Sequence, residues 1–295
     1  MIESIGEKNW YDRYYKVMFV IPILLLISCI IYLSIFYSAN GDFFRKDSSL
    51  SGGTTITLNI DIDSGALQNH LTQTIPDVFI RKIEDISTGR HIALIIDSSA
   101  EPEVLRTAIE DFLGYELTSE NSTIEFSGST LGNNFYKQLV TAIVISFALM
   151  SIVIFILFRT FVPSVAVIFA AFADIVMTLT AVNIFGIRLS AAGIAAFLML
   201  IGYSVDTDIL LTTRVLKRKD LSINQRIYFS FKTGIFMIAT GRSAILPAFF
   251  LVTGLPDSFR QIFLILSFGL LFDILNTWLT NASILKWYAE KKEKR

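Results

Sequence analysis

Five ionisable residues, Asp174, Asp206, Asp208, Arg242 and Asp273, stand in stretches of sequence that are otherwise apolar. An ionised side chain at the centre of a bilayer costs about 2.5–3.5 kcal/mol or more unless it is paired, wetted or neutralised. Two chemistries fit such a set. The first is structural: ion pairs that hold helices together. The second is a relay, in which a buried carboxyl takes up a proton when its cationic partner withdraws and releases it when the partner returns. Four acids against one guanidinium favour the relay, because pairing alone cannot neutralise them all. One elementary charge moved through 100 mV is worth about 2.3 kcal/mol, a usable driving force. Arg242 stays protonated in practice and requires a carboxylate beside it; Asp206 is the candidate at matching depth.

That depth follows from the apolar runs that must carry these residues. About 20 apolar residues cross the hydrocarbon core, and six runs qualify: Val17–Tyr37, Tyr136–Phe158, Val162–Ile184, Leu189–Thr213, Gly234–Thr253 and Phe259–Leu285. The first is too long for a signal-peptide core and has no convincing small-residue cleavage site after it, so it reads as an anchor. At a helical rise of 1.5 Å per residue from the cytoplasmic ends, Asp206 lies about 12 Å deep, Arg242 about 15 Å, Asp174 about 17 Å and Asp273 about 20 Å. All five charges thus share one slab near mid-membrane. Asp206 and Asp208 are two apart, roughly 200° around a helix, and cannot share a face. Gly202 and Ser204 let a neighbouring helix approach closely there.

Composition agrees with the spans. Hydrophobic residues make up 53% of the 295, charged residues only 17%, and mean hydropathy is +0.58. Those values exclude an ordinary soluble enzyme and indicate a polytopic membrane protein. A net charge of −1 offers nothing to nucleic acid, the single Cys29 allows no internal disulfide, and two histidines suggest no metal site. No P-loop is present and no cofactor is called for; catalytic groups are not gathered at an interface, so an enzyme is not expected.

Basic residues set the orientation. Lys8, Arg13 and Lys16 precede the first run, Arg159 sits between the second and third, Arg214–Lys232 adds six and Lys286–Arg295 five, whereas the short outer loops hold only Arg188 and Arg260. Both termini are therefore expected in the cytoplasm of a cell membrane. Residues 1–16 form the cytoplasmic N-terminus, 17–37 the first span, 136–285 a five-helix bundle and 286–295 a basic tail. Between them, 38–134 forms an outer domain with 15 acidic against 6 basic residues. Alternating "TTITLNI" and "HIALIID" predict strands, and the Pro-led "SSAEPEVLRTAIEDFL" predicts a helix. The expected elements are strand Thr54–Ile60, helix Gly65–Thr74, strands Val78–Glu84 and His91–Asp97, helix Glu101–Leu113 and strand Ser122–Phe126. That βαββαβ order is the ferredoxin-like unit. "SGGT" at Ser51–Thr54 reads as a turn.

One span, a large outer domain, five more spans and "GYSVDTDILLTTRVLKR" in the fourth resemble the SecD/SecF family of the resistance–nodulation–division (RND) superfamily. "FADIVMTL" around Asp174, "ATGRSAILPAF" around Arg242 and "FDILNTWLTNASILKWY" after Asp273 support it. Bacterial SecF-type members read Tyr-Ser, an apolar residue, then Asn-Asp-Thr. Here Asp206-Thr207-Asp208 follow Val205, as in archaeal members, so Thr207 stands at the usual aspartate and Asp206 at the position of the SecD-type aspartate. Ser49-Leu50 stand where the family shows an aspartate before "GGT". The resemblance implies a six-span RND half that works with a separate SecD chain beside the SecYE-type translocon, using the proton motive force to draw exported polypeptides outward. Either Asp206 or Asp208 would inherit the membrane role. Two other readings stay open on the residues: an RND-type exporter of lipids or small molecules, and a translocon scaffold without ion coupling.

Overall fold

The computed structural model describes residues 10–60, 62–75, 77–84, 91–218, 221–251 and 257–294. Lys8, Lys219 and Arg295, used above to orient the chain, lie outside them. Helices dominate, as they must where hydrocarbon offers no partner to a backbone amide. They are α1 (Trp10–Asn40), α2 (Ser48–Ser51), α3 (Ser64–Thr74), α4 (Pro102–Leu113), α5 (Ser129–Phe158), α6 (Phe161–Ile184), α7 (Ala191–Lys217), α8 (Ile223–Leu251), α9 (Asp257–Leu275) and α10 (Ala282–Glu293). A π-helical segment, Asn276–Asn281, joins α9 to α10. Four strands complete the fold: β1 (Gly53–Leu58), β2 (Phe79–Glu84), β3 (His91–Ser98) and β4 (Ser122–Ser127).

Five stretches among the described residues are long and apolar enough to cross a membrane: Tyr11–Asn40, Ser129–Phe158, Phe161–Ile184, Ala191–Lys217 and Phe259–Glu293. The chain is a multi-pass, mostly helical membrane protein. Helix ends differ from the ends of three expected runs. The run expected over Gly234–Thr253 lies within α8, which begins at Ile223 and carries Asn224, Gln225, Arg226 and Lys232 in its first half; Val252 and Thr253 lie outside the described residues. The helix of the run expected from Tyr136 begins at Ser129, and its Gly132 packs on the backbone of Leu50 and Gly52, where a Cβ would come within 2.8 Å of the Gly52 nitrogen. Leu189 does not open the fourth run. Ser190 caps α7 instead, its side chain accepting from the Gly193 amide at 3.0 Å, which satisfies one of the orphan donors of the first turn.

The strands form one antiparallel sheet in the order β2-β3-β1-β4. Their positions follow the alternating pattern to within two residues at either end. Side chains on alternate residues face one side: Ile56, Leu58, Leu94 and Ile96 pack with Leu67 and Leu71 of α3 and Leu105 and Ile109 of α4. Asp63 caps α3, and Pro102 opens α4 where its missing amide costs nothing. Gly53 has φ +131, and a Cβ there would stand 2.2 Å from the Ser98 carbonyl oxygen; Gly52 has φ +85. Both positions exclude a side chain, so the expected turn is also a close approach of backbones.

A backbone joint fixes this sheet unit to the membrane helices. The Asp47 amide donates to the Leu189 carbonyl at 3.0 Å, and the Leu189 amide to the Arg45 carbonyl at 2.7 Å. Beside it the Ala191 amide donates to Ser49 Oγ at 3.0 Å, and the Ser190 amide to Gln261 Oε1 at 2.9 Å. The sheet unit therefore grips the first turn of α7, which Ser190 and Gln261 tie in turn to α9. Those are the helices that carry Asp208 and Asp273.

Candidate functional site

Below that joint, α6, α7 and α9 bring Asp174, Asp208 and Asp273 together. All three are fully buried. Each sits among hydroxyls and amides contributed by the neighbouring helices. Asp174 accepts from the Ser204 hydroxyl through Oδ2 and from Asn276 Nδ2 at 2.6 Å through Oδ1. Asp208 Oδ1 accepts from Asn281 Nδ2 at 2.7 Å and from the Thr277 hydroxyl at 2.9 Å. Asp273 meets the Thr277 hydroxyl at 2.9 Å and the Thr207 hydroxyl at 3.0 and 3.1 Å. None of the three makes an ion pair among the described residues. Several buried acceptors beside them lack a partner: Asp208 Oδ2, Asn276 Oδ1 and Asn281 Oδ1. An unmet acceptor in a dry interior costs about 1–3 kcal/mol, so the cluster is short of hydrogens.

The local sequence makes this site. Asp273, Asn276, Thr277, Thr280 and Asn281 recur at helical spacing and make one polar stripe along an apolar run, all of it buried. Ser204, Thr207, Asp208 and Thr212 make a matching stripe on α7. The π-helical turn lies where the first stripe meets Asp174 and Asp208, a place where such irregular turns concentrate at functional sites. Gly234 admits the indole of Trp278, whose ring carbon lies 2.4 Å from where a Cβ would be, so α8 closes over the same turn.

The remaining two charges stand apart. Asp206 faces away from Asp208, as their angular separation requires, and is exposed on a groove with Leu210, Thr213, Arg214 and Met237. Arg242 is half-buried on α8. The expected Asp206–Arg242 ion pair is not formed, and among the described residues Arg242 pairs with no carboxylate. Equal depth placed both residues in one slab but said nothing of their azimuth.

Two sites were not foreseen. Lys286, expected to begin a cytoplasmic basic tail, is buried among Asp12, Asn224 and Glu290, with its ammonium over the rings of Tyr11 at 4.8 Å and Tyr15 at 5.2 Å. The joint between the sheet unit and α7 holds Asp47, whose Oδ1 accepts from the Ser49 amide at 2.9 Å and the Ser49 hydroxyl at 2.6 Å. Burial pushes the Asp47 carboxyl up to about 7. Nearby, Asp97 pairs with Arg81 at 3.1 Å and accepts from Thr55 at 2.7 Å.

A bundle of long apolar helices, a small antiparallel sheet unit docked on its helix ends and carboxyls buried without counter-charge among the described residues define a multi-pass membrane protein with a protected polar centre. The family described as protein export membrane protein SecD/SecF, C-terminal, matches residues 110–291. The chain is 35% identical over 280 residues to the protein-export membrane protein SecF of Pyrococcus furiosus, covering 94% of this chain and 92% of that one. It is 36% identical over 280 residues to the SecF of Methanocaldococcus jannaschii, covering 93% and 95%. The crystal structure of SecDF, a translocon-associated membrane protein from Thermus thermophilus, superposes with a TM-score of 0.77 at 19% identity, covering 99% of this chain and 39% of that longer one. The chain belongs to the SecD/SecF family.

Proposed function

We propose that this protein is the SecF-type subunit of the protein-export machinery, working in the cell membrane with a SecD-type chain and a SecYE-type translocon. Relatives named for protein export, matched over nearly their whole length, support the role. The SecDF structure, of which this chain resembles about two-fifths, supports a second chain supplying the rest. In this reading α8 is a sixth span, both termini are cytoplasmic, and the βαββαβ unit is a ferredoxin-like domain outside the membrane, where it meets the emerging polypeptide.

Ion coupling rests on one observation: three buried carboxyls with no cationic partner among the described residues. Fixed ion pairs would lock such groups, whereas hydroxyl and amide partners tolerate both protonation states. Asp174, Asp208 and Asp273 form the internal part of the relay. Asp206 and Arg242, on faces not covered by this chain, complete it against the SecD-type partner. Reconstitution of both chains in sealed vesicles tests this. Wild type takes up protons when a potential is imposed, and Asp206→Asn and Asp208→Asn both stop uptake while leaving the complex assembled. Equal uptake by all three would remove the coupling and leave a scaffold.

A further inference from the structure

The three acids differ in what serves them. Asp174 and Asp208 each hold a side-chain amide N–H, from Asn276 and Asn281. Asp273 has none among the described residues. Its oxygens meet the hydroxyls of Thr277 and Thr207, with Ser204 alongside. A hydroxyl owns one hydrogen, and each of these three has a second acceptor: Asp208 Oδ1 for Thr277 at 2.9 Å, the Ser204 carbonyl for Thr207 at 2.8 Å, and Asp174 for Ser204. Thr277 stands 2.9 Å from both Asp208 and Asp273, so one of those two contacts needs a hydrogen that Thr277 cannot supply. The missing hydrogen belongs on a carboxyl.

We propose that Asp273 carries a resident proton and that the Thr277 hydroxyl hands it to Asp208. The step balances without any further reactant. The Asp273 O–H bond breaks as its proton passes to Thr277 Oγ1, and the hydrogen already on Thr277 passes to Asp208 Oδ1. Thr277 is unchanged, and one negative charge moves from Asp208 to Asp273. The bare Asp208 Oδ2 then remains as an acceptor for a donor beyond the cluster. Every titratable group named in the cluster is an acid: Asp174 from α6, Asp208 from α7 and Asp273 from α9. Among the described residues the acids do not converge as metal ligands; hydroxyl spacers hold them one bond-chain apart, the arrangement a proton wire uses. The hand-over rests on the ion-coupled reading above, whereas the resident proton does not.

Infrared difference spectroscopy on the purified full chain reads the resident proton directly. Wild type gives a protonated-carboxyl carbonyl band that shifts in D2O, Asp273→Asn removes it, and Asp206→Asn keeps it. Thr277→Val moves the band, and Thr277→Ser restores it; Thr277→Ala replaces Thr277→Val if the valine variant does not fold. Absence of the band, its survival in Asp273→Asn, or its loss when sodium replaces potassium overturns the proposal. Proton uptake in vesicles with the SecD-type partner reads the hand-over: Thr277→Val slows it by about tenfold or more, while Thr277→Ser stays near wild type. A wild-type rate in Thr277→Val overturns the hand-over. So does a wild type that shows the band yet takes up no protons, in which case the coupled reading falls and the resident proton stands.

Discussion

Two buried polar centres share this bundle and are built on opposite rules. At one end of the bundle Lys286 sits between Asp12 and Glu290 and over two tyrosine rings, a cation with its counter-charges in place. Amid the bundle, Asp174, Asp208 and Asp273 have hydroxyls and amides but no counter-charge among the described residues. A paired charge is held to one state, because breaking the pair strands a partner in low dielectric. An acid served by neutral groups can change state with little rearrangement. The first centre ties α1, α8 and α10 together; the second is available to work.

The comparison breaks most readily at the acids. Asp208→Asn or Asp273→Asn, in cells with no other copy, is expected to cut potential-dependent export by about 100-fold while leaving membrane insertion intact, as loss of a proton-transfer group does; pulse-labelled export of a secreted protein reads it. Lys286→Met should do the reverse. Thermal unfolding in detergent is expected to show a loss of about 2–3 kcal/mol, below the ~3–5 kcal/mol of a fully sealed pair because Asp12 and Glu290 stay partly wet. Ion coupling per folded molecule should hardly change.

At the joint between the sheet unit and α7 the pH response has a definite sign. The Asp47 carboxyl is raised from 3.8 to about 7 by burial, so the folded state binds its proton more tightly than the unfolded one. Its contribution is therefore present below pH 3.8 and is lost as pH rises through about 7. Arg81, Asp97 and Arg188 face the same joint and set its background. Asp47→Asn, which keeps the cap, should flatten the pH dependence of resistance to proteolysis across that window. The smallest effect on stability belongs to Asp206→Asn, which stops uptake yet, being exposed, should change unfolding by no more than about 0.5 kcal/mol in the same assay.

Much of this was legible in the residues. The alternation that located β1 and β3, and the Pro-led α4, survived because the sheet unit's core is local and regular. Three of the four aspartates found by depth do meet. Azimuth was only partly legible: the two-residue spacing separates Asp206 from Asp208, but nothing in the sequence tells which of them faces the cluster or that Arg242 turns elsewhere. The neutral partners were overlooked because Ser, Thr and Asn carry no charge and do not stand out among ionisable residues. The signal was present in the i, i+3, i+4 spacing of Asp273, Asn276 and Thr277. Lys286 was misplaced because a basic C-terminal run reads as solvated, and only the fold shows Asp12 reaching it from the other end of the chain.

Proton movement through the acid cluster is the point on which the account turns, and proton uptake into sealed vesicles holding this chain with a SecD-type chain measures it most directly. Wild type should acidify the lumen when a potential is imposed, and Asp273→Asn should abolish that uptake while Lys286→Met, once folded, retains it. Undiminished uptake in Asp273→Asn would contradict the account.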